Sequence, residues 1–97
     1  MLGVRMARVL AKFFATVREV TGVRSAEIEA KDIKELLEIL SKKFPRFSET
    51  VLKDGTYELK QFYSCMVNGK RIELLDSYDT LLKDDDSVAL FPPVGGG

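Results

Sequence analysis

The stretch Asp32-Ile33-Lys34-Glu35-Leu36-Leu37-Glu38-Ile39-Leu40-Ser41-Lys42-Lys43-Phe44-Pro45 decides the fold. Ile33, Leu36, Leu37, Leu40 and Phe44 recur at spacings of three and four, which lays one continuous apolar stripe along an α-helix. Asp32 is placed to cap the first turn, and Glu35 can reach back toward it in a capping box. Pro45 has no N–H to donate and ends the helix after Phe44. Lys34, Glu38 and Lys42 share the opposite face at four-residue spacing, a solvated ladder to which no function attaches. A helix with one apolar stripe needs a second layer to cover it.

That layer is supplied by strands on both sides. Residues 9–15 are rich in β-branched and aromatic types and read as a strand that runs on into Thr16-Val17. Thr21-Gly22 marks a turn, and Ser25–Ala30 reads as a second strand paired antiparallel to the first. Residues 46–61 resist assignment: Lys53-Asp54-Gly55 signals a turn, and the rest fits a short helix or an irregular connection. Residues 62–67 return to β-like composition, Asn68-Gly69 is a strong two-residue hairpin signal, and residues 70–74 form the returning strand. Ser87–Phe91 is the last strand, closed by Pro92-Pro93. The order is β-β-α-β-(β)-β. An α+β architecture with one main helix packed across one face of a mixed sheet follows, a β-grasp or ubiquitin-like roll. Its first and last strands are expected to lie side by side at the sheet centre and run parallel.

Ninety-seven residues, 45% of them hydrophobic, fit a single domain spanning 1–97. With 15 basic and 15 acidic residues the net charge is zero, and no basic block provides a nucleic-acid footprint. No apolar run approaches the roughly 20 residues a membrane span needs, and the N-terminus lacks a signal-peptide pattern. The chain has no histidine and a single cysteine, Cys65. Zinc sites built from Cys and His, and Ser-His or Cys-His nucleophile pairs, are therefore excluded, and no metal site is expected. Glycine-rich phosphate loops are absent as well. A lone cysteine forms no internal disulfide, in keeping with a cytoplasmic address. Cys65 sits inside a strand, where inert packing is favoured over sulfur chemistry. Arg18-Glu19 reads as a surface pair, with contact to a partner as the alternative.

The chemistry concentrates at the end. After Phe91 come Pro92, Pro93, Val94, Gly95, Gly96 and Gly97. The prolines cannot continue a ladder, and the glycines carry no side chain, so residues 92–97 make a thin, flexible tail. Terminal glycines are most simply a frayed end. These follow a strand and a Pro-Pro stop with no linker between, which favours a tail that threads a narrow channel and presents the Gly97 carboxylate. Strand alternation supplies a docking surface beside it: Phe13, Val88 and Leu90 are expected under the helix, with Phe14 and Phe91 forming an exposed apolar patch on the other face. The competing reading has residues 46–61 cover that patch.

Val88-Ala89-Leu90-Phe91-Pro92-Pro93-Val94-Gly95-Gly96-Gly97, preceded by Asp84 and Asp86, resembles the C-terminus of the MoaD family, the small subunit of molybdopterin synthase. Phe13-Phe14-Ala15-Thr16-Val17-Arg18-Glu19 and Val67-Asn68-Gly69 resemble two further family segments in the same order. Three departures stand out. Asp85 replaces a turn glycine, a position where Asp tolerates left-handed backbone. Gly95 stands where many relatives have Ser or Thr. The chain also starts several residues early, with Met6 as an alternative beginning. The resemblance implies a sulfur carrier that binds no permanent cofactor. An E1-like enzyme would use ATP to adenylate Gly97, a sulfur donor would convert it to a thiocarboxylate, and a MoaE-like large subunit would receive the tail. Nucleic acid and membrane are not among the implied partners. The same tail chemistry would equally serve tRNA thiolation or protein conjugation, and a β-grasp interaction domain with an unused terminus is the alternative from another class.

Overall fold

The computed structural model describes residues 5–94. The apolar stripe forms helix α2, Ile33–Lys43, and buries Ile33, Leu36, Leu37 and Leu40 completely. Each such side chain contributes about 1.5–3 kcal/mol by leaving water, which makes α2 the principal clamp on the sheet. The Asp32 side chain accepts a hydrogen bond from the Glu35 N–H at 2.8 Å. The reciprocal half of the cap reaches one residue beyond Asp32: Glu35 Oε1 accepts from the Lys31 N–H at 2.7 Å. Of the outer ladder, Lys42 and Glu38 form an ion pair at 3.1 Å.

The sheet has five strands in the order β2-β1-β5-β3-β4. Strand β1, Ala7–Phe13, pairs antiparallel with β2, Ser25–Ala30, and parallel with β5, Ser87–Phe91. The first and last strands thus occupy the centre, as the sequence predicts. On its other side β5 pairs antiparallel with β3, Ser64–Val67, which leads into β4, Lys70–Arg71. Along β1 burial alternates strictly, with Ala7, Val9, Ala11 and Phe13 under the helices and the residues between them exposed. That alternation is what a sheet covered on one face requires.

Two segments depart from the sequence reading, and residues 46–61 take the short-helix option of their two readings. Thr16-Val17 does not prolong β1: helix α1, Thr16–Thr21, begins there and ends at Gly22 in left-handed geometry, φ 77°. Val17 is fully buried, so its β-branched preference yields to the gain from closing the end of the core. Residues 46–61 contain helix α3, Phe47–Val51, which buries Phe47 and Val51 and packs against α1 and α2. The returning strand predicted over 70–74 stops at Arg71 and tightens into a 3₁₀ turn over Ile72–Leu74, with Ile72 buried. As an outermost strand it has a ladder on one side alone, so burying Ile72 outweighs extending it. The Asn68-Gly69 turn has positive φ at both residues, 51° and 85°, the geometry of a two-residue hairpin. Asp85 adopts φ 72°, so the turn survives the loss of glycine.

Candidate functional site

The register fixes where the tail leaves. Phe13 lies beside Leu90 in the parallel pair, and Ser64 lies opposite Phe91 in the antiparallel pair. The Phe14 N–H adds one more bond, to the Leu90 carbonyl at 3.3 Å. Beyond Phe91 neither Pro92 nor Pro93 can donate, so the ladder ends and the chain departs from the middle of the sheet. Pro92 is half-buried at the rim, Pro93 is exposed, and Val94 is 93% exposed. The predicted end group, Gly97, and its neighbours Gly95 and Gly96 lie outside the described residues.

Adjacent phenylalanines serve opposite layers. Phe13 is buried and meets Phe44 edge-to-face at 5.8 Å, beneath the helices. Phe14 points the other way and stacks on Phe91, ring centres 4.6 Å apart and planes within 10°. Phe14 remains 39% exposed and Phe91 half-buried. Val88 and Leu90 are in the core. Helix α3 packs against α1 and α2 on the helical side, and Phe14 keeps its exposure, so α3 does not cover the stacked pair. Leu10, Ala89 and Met66 occupy the same open face and extend the pair into an apolar strip across three central strands. The period-two count from Phe14 back to Leu10 carries that extension, and the sequence reading stopped short of it.

Reactive side chains are scarce. Cys65 is fully buried opposite Leu90, and desolvation, helped by the charge of Glu73, pushes its thiol up to about 12. Such a thiol holds almost no thiolate near neutrality and is inert packing. Arg18 and Glu19 do not form the surface pair read from sequence, because neighbours on a helix diverge by about 100°. Among the described residues no cluster of three or more His, Cys, Asp or Glu could hold a metal, and no helix is long and apolar enough to cross a membrane. What the site offers is a Pro92-Pro93-Val94 segment leaving the central strand beside an exposed aromatic pair.

A mixed sheet with parallel first and last strands at its centre, crossed by one long helix, defines a β-grasp domain of the ubiquitin-like class. The chain belongs to the ThiS family, whose model matches residues 11–97 and whose members are ubiquitin-like sulfur carriers and modifiers. It is 35% identical over 89 residues to small archaeal modifier protein 3 of Haloferax volcanii, covering 89% of this chain and 95% of that one. The solution structure of small archaeal modifier protein 1 from Methanosarcina acetivorans superimposes with a TM-score of 0.86 at 31% identity, over 95% of this chain and 98% of that one. A Pyrococcus furiosus protein named for molybdopterin converting factor subunit 1 matches with a TM-score of 0.72 at 33% identity, over 91% and 99%.

Proposed function

We propose that this protein is a ubiquitin-like carrier of the archaeal modifier kind, activated at the Gly97 carboxylate and used for sulfur transfer or protein conjugation. A carboxylate is a poor electrophile. Attack of its oxygen on the α-phosphorus of ATP, in an E1-like partner, expels pyrophosphate and leaves an acyl-adenylate. A sulfur nucleophile from a donor then displaces AMP to give a thiocarboxylate, or a lysine amine displaces it to give an amide and a proton. Either route draws on ATP, which suits a cytoplasmic setting. This chain supplies the electrophilic carbon and the docking face, and its partners supply catalysis. The observation that carries the reading is the departure of Pro92-Pro93-Val94 from the central strand beside the stacked Phe14 and Phe91. The two modifier relatives favour this destination over dedicated molybdopterin synthesis.

A second reading keeps the molybdopterin synthase role. The Pyrococcus relative and the Pro92-Pro93-Val94 end favour it, and a MoaE-like large subunit would then take the tail and use its sulfur to build the dithiolene. Thiolation of tRNA is a further outlet for the same thiocarboxylate. The test is intact mass after incubation with ATP, an E1-like enzyme and a sulfur source, beside a version lacking Gly97. Exchange of one oxygen for sulfur that requires Gly97 is the expected result. An unchanged mass, with an enzyme shown to activate another carrier, would sink the proposal. Offering the thiocarboxylate to a large synthase subunit with pterin precursor, and separately to lysine-bearing proteins, then sorts the destinations.

A further inference from the structure

Beside Phe14 lies a shallow hollow of ≈ 270 Å³ whose walls include Leu10, Phe14, Lys12, Arg18 and Arg24. Its three charged residues are all cations, and no acidic residue lines it. None of the three makes an ion pair among the described residues. They come from three separate segments. Lys12 is on the open face of β1, Arg18 on α1, and Arg24 is held opposite Phe13 by the Phe13 N–H bond to its carbonyl at 2.9 Å. Gathering three like charges around one hollow, on a chain whose net charge is zero, opposes folding through mutual repulsion. An arrangement of that kind is relieved when a negative partner arrives.

We infer that this hollow is the docking point for an acidic segment of the E1-like partner that activates the tail, its carboxylates meeting Lys12, Arg18 and Arg24 and an apolar residue meeting Leu10 and Phe14. The inference rests on the carrier reading and adds to it the chemistry of the partner's surface. Two features select a protein segment over nucleic acid. The cations are confined to one small hollow, with no basic track for a phosphate backbone to follow. Its walls are apolar between the charges, which suits mixed acidic and aliphatic side chains. The hollow also adjoins the ring stacked on Phe91, one residue before the tail begins, so a partner holding the tail lies over it. Complementary charge there speeds encounter and fixes orientation.

The test titrates the full-length chain, followed by amide NMR, with a synthetic hexapeptide of alternating glutamate and leucine capped at both ends. Shifts confined to the surroundings of Lys12, Phe14, Arg18 and Arg24, abolished in a K12E/R24E double variant and weakened by salt, are the expected result. Equal binding by the double variant, shifts located elsewhere, or no binding would overturn the inference. Tighter binding of a six-nucleotide single strand at the same hollow would overturn it in favour of nucleic acid. In the activation assay the double variant should show a KM for the carrier raised about tenfold or more at low salt with kcat little changed; an unchanged KM counts against the inference. Peptide binding needs no Gly97, so a chain that binds the peptide at the hollow yet is never activated would refute the carrier reading alone.

Discussion

Cys65 gives the sharpest quantitative test of the folded core, and it bears on the sulfur chemistry proposed for Gly97. Its thiol is pushed up from an ordinary 9.0 to about 12 by burial. A gap of that size leaves about a thousandfold less thiolate in the folded chain than in the unfolded one at neutral pH. The linkage to stability has a definite sign. Folding favours the neutral thiol, so the contribution is fully present below pH 9 and is lost as pH rises from 9 toward 12, where the unfolded state binds fewer protons. At pH 10 the unfolded thiol is about nine-tenths ionised, which costs the fold about 1 kcal/mol relative to pH 7. Replacing Cys65 by Ala removes this pH dependence and, at pH 7, costs roughly 1 kcal/mol for the lost packing. Urea unfolding of both proteins at pH 7 and pH 10 should therefore show the wild-type advantage shrinking to about zero at the higher pH. Iodoacetamide should label Cys65 only as fast as the native chain opens. A stability gap unchanged between the two pH values, or labelling as fast as in urea, would refute the assignment. If it holds, any sulfur alkylated rapidly after activation is the terminal thiocarboxylate, since the chain has no other cysteine.

Three other outcomes can be checked with the same purified protein. Phe62 is 72% exposed and held at φ 72°, so Phe62→Gly loses little packing and relieves left-handed strain; chemical denaturation should show a gain of about 0.5–1 kcal/mol after the entropy penalty of glycine. Leu40 is fully buried in the helix stripe, and Leu40→Ala should lower stability by about 2–5 kcal/mol, enough to leave much of so small a domain unfolded on warming. Phe14→Ala breaks the stack on Phe91 at a stability cost of about 1 kcal/mol, while the KM for this carrier in the E1-like reaction rises severalfold; an unaltered KM would place docking elsewhere.

Much of the fold is legible in the chain because the elements that dominate it carry their own periodicity. The stripe from Ile33 to Leu40 specifies α2 and the face it buries, and Ser25–Ala30 and Ser87–Phe91 fall at the bounds that pattern and turn signals give. Asn68-Gly69 fixes a hairpin through backbone angles that few other pairs adopt. At the candidate site, alternation alone separates Phe13 from Phe14 and Leu90 from Phe91, since a strand presents successive side chains to opposite faces.

The remainder depends on what a segment meets after the chain collapses. Thr16-Val17 has the composition of a strand, yet beyond Phe14 the central strand β5 turns into prolines and offers no ladder, so the segment coils into α1 and places Val17 in the core. Residues 70–74 have strand composition too, but with a neighbour on one side alone the pairing stops at Arg71. The cationic hollow follows the same logic. Lys12, Arg18 and Arg24 are unremarkable in sequence, separated by five residues each, and become a site once α1 and the approach to β2 close around the end of β1. The sequence by itself determined the helix stripe, the strand faces and the Pro92-Pro93 stop after the last strand, because each is a repeat or a backbone constraint read over a few residues. Which weak segments became helix, and which scattered charges became neighbours, only the tertiary structure decided, because those outcomes turn on burial and ladder partners contributed by residues far along the chain.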